Sequence, residues 1–118
     1  MKSIMRIADL VSFYRALASC LRLRILSLLA KRPLCVNALA RSLGISQPAV
    51  SQHLEVLEGA RLVIGERMGT MVHYRLDREQ ANLIAASTAL LLGQPRDTID
   101  ACHQTADAPA RRREGQSE

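Results

Sequence analysis

At 118 residues, 48% of them apolar and with a formal charge of +5, the chain has room for one ordinary domain and favours a polyanionic partner. Phe13, Tyr14 and Tyr74 are its aromatic residues, so its core must be aliphatic. The apolar run at residues 89–92 is far too short to span a membrane, and residues 1–10 lack the apolar stretch of a secretory signal, which places the chain in the cytoplasm.

Cys20, Cys35 and Cys102 stand far apart with no Cys-x-x-Cys pair, a set that suits a reducing compartment and not a disulfide framework. The charge is uneven: residues 1–34 hold seven basic residues against one acidic, 35–77 hold four of each, and 78–118 hold five against six. Net charge therefore does not locate a nucleic-acid-reading element. A domain of this size buries a modest share of its surface, and pairing with a second copy would stabilise it.

In chain order, Leu10, Phe13, Tyr14, Leu17, Ala18 and Leu21 recur on one face of a first amphipathic helix. Leu21, Ile25, Leu28 and Leu29 begin a second stripe, which must end before Pro33. Val36, Leu39, Ala40 and Leu43 mark a short third helix, and Gly44 supplies the left-handed residue that ends it. Ser46 is placed to cap a fourth helix, Pro48 fits its first turn, and Val50, Leu54 and Leu57 form its inward face. The turn between the third and fourth helices is about three or four residues long, the spacing of a helix-turn-helix. From Leu62 the period changes to alternation. Leu62-Val63-Ile64 and then Val72, Tyr74 and Leu76 read as two strands around Met68-Gly69-Thr70. Asp77 caps a last helix over residues 78–92, which Gly93, Gln94 and Pro95 end. The pattern predicts a mainly α winged helix-turn-helix of about five helices with a two-stranded hairpin wing. Residues 1–95 form the domain, and 96–118 a polar, flexible tail.

Ala16-Leu17-Ala18-Ser19 with Arg22-Leu23-Arg24-Ile25-Leu26 resembles the second-helix signature of the ArsR/SmtB family of bacterial repressors. Leu34-Cys35-Val36 and the stretch from Leu43-Gly44-Ile45-Ser46 through Gln47-Pro48-Ala49-Val50-Ser51 to Gln52-His53-Leu54 resemble its helix-turn-helix. Val72-His73-Tyr74-Arg75-Leu76 resembles its returning wing strand. The resemblance implies a homodimer that holds operator DNA and leaves it when an inducer binds. The chain departs from the family pattern at three places. Cys20 stands where Pro is common, Arg61 stands where Gly is usual, and a familiar metal-sensing Cys-Val-Cys box reads Cys35-Val36-Asn37. With Arg61, either the fourth helix stops near Gly59 or Arg61 adopts a left-handed conformation.

On the fourth helix Pro48, Ser51, Gln52 and Glu55 lie across from the apolar face, and Gln47 sits at the exposed start. Short polar groups there suit base edges or phosphates in a major groove, although an ordinary solvated face would look alike. The candidate DNA contacts are Ser46, Gln47, Pro48, Ser51, Gln52, His53, Arg67 and Arg41, with Lys31 a further phosphate candidate. His53, at the edge of the apolar face, reads as a packing or phosphate-contacting residue. Arg67 flanks the wing turn and is placed to enter a minor groove or grip phosphate, or else to keep the hairpin soluble.

A soft metal or metalloid such as arsenic(III) needs two or three thiolates, so the candidate inducer site joins Cys35 to Cys102, with His103 as a further ligand. No constitutive cofactor is expected. Two rivals stand beside this reading: a repressor of the same fold that senses persulfide or oxidant through its thiols, and a protein-interaction module that has lost DNA binding. Residues 78–93 contain no His and only Glu79 as a carboxylate, so a metal site on the last helix is not expected. Nothing in the chain resembles a Ser–His–Asp grouping, a phosphate-binding Gly loop or a zinc-protease pattern, so an enzyme is not expected. Ala81, Ala85 and Ala89 recur every four residues, a strip that predicts pairing through the first and last helices.

Overall fold

The computed structural model describes residues 5–93. Its elements run α1 (Ile7–Leu17), α2 (Cys20–Leu29), β1 (Leu34–Cys35), α3 (Val36–Leu43), α4 (Gln47–Gly59), β2 (Val63–Met68), β3 (Met71–Leu76) and α5 (Arg78–Leu92). The chain divides into two units, Met1–Ser87 and Thr88–Glu118, and the core, the sheet and the candidate site lie in the first. Of the second, the described residues are the last turns of α5 and Gly93, with Leu90, Leu91 and Leu92 exposed. Cys102, His103 and the polar tail lie outside the described residues.

The apolar stripe runs unbroken from Leu10 to Leu21, yet α1 ends at Leu17. Local hydrogen bonding explains the break. Ser19 is extended, and its hydroxyl accepts from the Arg22 backbone N–H at 3.2 Å, so a new helix starts there. Arg22 then reaches back across the break. Its Nε donates to the Ala16 carbonyl at 2.6 Å and another guanidinium nitrogen to the Arg15 carbonyl at 3.3 Å, satisfying the open end of α1.

The core forms where α2, α3 and α4 meet. Ile25, Leu39, Val50 and Leu57 are 0% exposed and Leu54 is 1% exposed, and all are aliphatic. Fully burying such a side chain stabilises the fold by about 1.5–3 kcal/mol. Gly44 ends α3 at φ 70°, and the Ser46 hydroxyl accepts from the Ala49 N–H at 3.2 Å to start α4. At the far end of α4 both outcomes expected of Arg61 occur together. The helix stops at Gly59, and Arg61 sits at φ 62°. The Leu62 N–H donates to Leu57 and the Arg61 N–H to Glu58, both at 2.9 Å, which is a Schellman closure with arginine in glycine's place.

The sheet differs from the expected two-stranded hairpin. It has three antiparallel strands in the order β1-β3-β2, because Leu34 pairs with Tyr74 and Cys35 with His73. A strand of two residues shows no alternation, so periodicity cannot reveal it. The hairpin itself closes at Gly69, whose φ of 68° suits the first central position of a tight turn. Asp77 caps α5 by accepting from the Gln80 N–H at 3.2 Å. Arg78 donates to the Ala30 carbonyl, and the Met5 N–H donates to the buried Ser87 hydroxyl at 3.2 Å. Among the described residues no helix is long and apolar enough to cross a membrane.

The left-handed conformation costs a non-glycine residue about 1–2 kcal/mol, while glycine loses about 0.5–1 kcal/mol more chain entropy on folding. Arg61→Gly should therefore stabilise the protein by about 0.5–1 kcal/mol and raise its melting temperature by several degrees at matched concentration. Calorimetry showing a fall in melting temperature would mean that the Arg61 side chain contributes more than its backbone costs.

Candidate nucleic-acid interface

Burial of Val50, Leu54 and Leu57 fixes which way α4 faces. Gln47, Pro48, Ser51, Gln52 and Glu55 are consequently exposed along its other side. Ser46 is exposed at the start, where its hydroxyl serves as the cap. Gln47 is held by a neighbour, its Nε2 donating to Asn37 Oδ1 on α3 at 3.2 Å.

His53 is placed differently. It is half-buried, and its Nδ1 lies 3.3 Å from an Arg22 terminal nitrogen. A guanidinium can only donate, so Nδ1 accepts in this contact. His53 thus joins α4 to the arginine that closes α1. Sequence reasoning missed the role of Arg22, because the helix break that it closes is hidden within a continuous apolar stripe.

On the wing, Val63, Gly65 and Arg67 of β2 share one face with Leu76, Tyr74 and Val72 of β3. Val63, Tyr74 and Leu76 pack on the core, so Arg67, exposed near the tip, emerges on the side from which α4 packs against β2. Burial, and then the Glu58 carboxylate, raise the Tyr74 phenol above its ordinary range, so it stays neutral at the base of the wing.

Arg41 is exposed in the last turn of α3. It lines a cleft of about 400 Å³ with Lys31, Arg32, Leu28, Leu34, Ala38 and Ser42. This cleft gathers three cations that are dispersed in sequence, Arg32 among them unanticipated. By contrast Arg75 is held by Glu66 at 3.2 Å.

Cys35 is free and half-buried, extended at the end of β1, and is the residue immediately before α3. Cys20 is free and exposed at the start of α2. Among the described residues no three of His, Cys, Asp and Glu are grouped to hold a metal ion.

Comparison with known proteins agrees with this architecture. The family model described as "Bacterial regulatory protein, arsR family" matches residues 20–64, from the start of α2 into β2. The transcriptional repressor SmtB of Mycobacterium tuberculosis is 42% identical over 76 residues, 64% of this chain and 56% of that protein. The chain thus spans little more than half the length of the first curated relatives it matches, 53% of one and 60% of another. An ArsR-like transcriptional regulator from Rhodococcus superposes with a TM-score of 0.72 at 26% identity, over 86% of this chain and 96% of its own. A homodimeric winged helix-turn-helix DNA-binding domain from Mycobacterium bovis superposes at 0.61 with 29% identity, over 77% and 90% of the two chains. The chain belongs to the ArsR family of bacterial regulatory proteins, a family of transcription regulators and not of enzymes.

Proposed function

We propose that the chain is a homodimeric repressor that docks α4 in the major groove of operator DNA and the wing tip beside it, and that leaves the operator when an inducer binds. The observation that carries this reading is the exposed row Gln47, Pro48, Ser51 and Gln52 on a capped helix, with Arg67 emerging on the same side. Arg41, Lys31 and the capping Ser46 extend the contact to phosphate, and His53 acts through Arg22.

Pairing through α1 and α5 is supported by an outward apolar stripe on α1. Ile7, Val11 and Tyr14 recur at helical spacing and are 62%, 41% and 38% exposed, which is costly for a helix left in water. Ala81 and Ala85 would allow close approach of α5 backbones, and two recognition helices would lie about 34 Å apart. The inducer in this reading is a soft metal or metalloid such as arsenic(III), held by Cys35 with Cys102. Because Cys35 is free and sits at a strand-to-helix junction, modification by a persulfide or oxidant would act at the same point.

Gln52→Ala and Ser51→Ala should change sequence preference and cost about 1–3 kcal/mol on a selected operator. Arg67→Ala should weaken binding to every duplex and reduce the salt slope by about one unit. Fluorescence anisotropy against salt reads both, and unchanged affinity in all three variants would remove this docking arrangement.

Ala85→Glu should place a charge in the seam and yield monomers that bind DNA poorly, as seen by sedimentation. A native protein that sediments as a stable monomer would remove the two-half-site arrangement.

Cys35→Ser and Cys102→Ser should each bind the operator normally and resist release by arsenite, with Cys20→Ser behaving as wild type. Normal release of the Cys35→Ser protein by arsenite, other soft metals and persulfide would place the inducer elsewhere.

A further inference from the structure

The outer face of the wing sheet carries soft donors that the proposed DNA contacts do not use. Strand register separates the two faces. Leu34, Tyr74 and Gly65 share the face packed on the helices, and Cys35, His73 and Glu66 form a row on the opposite one. Met71, two residues before His73, and Met68, its partner across the hairpin, fall on that same outer face. Both methionines are exposed, at 44% and 57%.

Two features of this row point to a ligand. Cys35 is a free, half-buried thiol, and the Nδ1 of His73, directly opposite it, is shielded from solvent without a hydrogen-bond partner. Buried ring nitrogens are ordinarily satisfied, so one left open is available to a further partner. Glu66, the third member, is engaged by Arg75 at 3.2 Å. The remaining donors are a thiol, an imidazole and thioethers. That set suits neither a hard cation nor a four-coordinate zinc site, and it fits a thiophilic closed-shell cation content with two or three ligands.

Reach is adequate. Opposed residues on neighbouring strands hold their Cβ atoms about 4.5–5.5 Å apart. Metal–sulfur and metal–imidazole bonds of about 2.3 and 2.0 Å let one ion join donors up to about 4.3 Å apart, so side-chain rotation suffices.

We propose that Cys35 Sγ and His73 Nδ1, with the Met71 thioether beside them, bind one thiophilic monovalent cation, copper(I) or silver(I), on the outer face of the wing sheet. The thiol gives up its proton to solvent as the metal–sulfur bond forms, and no electron is transferred. The inference rests on the reading of Cys35 as an inducer ligand and takes the second donor from β3 in place of Cys102. Its test reads binding alone and is independent of operator release.

The full chain is titrated anaerobically with silver(I) nitrate in chloride-free buffer, and with copper(I) against a colorimetric copper(I) chelator. One tight equivalent per chain is expected. His73→Gln should weaken it at least about tenfold, Met71→Leu less, and Cys102→Ser not at all. Circular dichroism of metal-free His73→Gln checks its fold. X-ray absorption of the wild-type copper(I) complex needs no variant and should show both sulfur and nitrogen ligands. An all-sulfur shell would overturn the site. So would retention of the tight equivalent by folded His73→Gln together with its loss in Cys102→Ser, a result that leaves the Cys35–Cys102 reading standing.

Discussion

Ile25, Leu39, Val50, Leu54 and Leu57 meet with essentially no solvent exposure, and the direction in which α4 presents its polar side follows from that contact. None of the five carries a polar side-chain atom, so shape and volume alone fix the packing. Once three residues of α4 point inward at about 100° per residue, Ser51, Gln52 and Glu55 have only solvent to face. Truncating Leu54 to alanine would cost about 2–5 kcal/mol, a large share of the 5–15 kcal/mol by which an ordinary domain is stable. The exposed face therefore tolerates exchange of its own residues far better than any change beneath it.

Apolar contact sets how closely the helices approach, and polar side chains set where each one stops. The pattern recurs: a side chain from one element takes the open carbonyls of another. Arg22 of α2 closes α1, Arg78 of α5 bonds Ala30 at the end of α2, and Gln80 of α5 bonds the Ala60 carbonyl at 3.1 Å past the end of α4. A neutral bond such as that of Gln80 contributes only about 0.5–1.5 kcal/mol net, and the part-buried one from the Arg22 guanidinium about 1.5–3 kcal/mol. Arg22 connects this fastening to the candidate interface, since the same guanidinium reaches His53 on α4.

What the sequence made legible was whatever is local. The caps at Ser46 and Asp77, the left-handed Gly44, the tension at Arg61 and the inward face of α4 depend on neighbours within a turn or two, and all are present. The break at Ala18 was hidden because Ala18 and Leu21 continue the helical stripe. Two helices were expected, but only the Ser19 hydroxyl bond and the reach of Arg22 reveal where the first gives way to the second. β1 was hidden for the opposite reason, being too short to have a period. Its pairing brings residues 35 and 73 together, a separation that no window of sequence spans. The cleft of Lys31, Arg32 and Arg41 is likewise a product of the fold, which is why a segment with balanced charge can adjoin a cationic surface.

The position of Cys35 constrains how any ligand there can act on α4. The residue ends β1 and immediately precedes α3, and two residues later Asn37 accepts a hydrogen bond from Gln47, the first residue of α4. That bond is exposed and is worth about 0.5–1.5 kcal/mol. Moving a two-state protein from almost wholly bound-competent to almost wholly released takes about 5.5 kcal/mol of differential affinity. Breaking the Asn37–Gln47 bond alone is therefore too small a change. The larger reservoir is apolar: Leu39, Ala40 and Leu43 bury one face of α3 against the core, and α3 packs directly on α4. A ligand that pulls Cys35 toward β3 must shift α3 as a body to be felt at Gln47. Close packing makes such shifts discrete and not graded, so a ligand's affinity for Cys35 would count only to the extent that it differed between one placement of α3 and another.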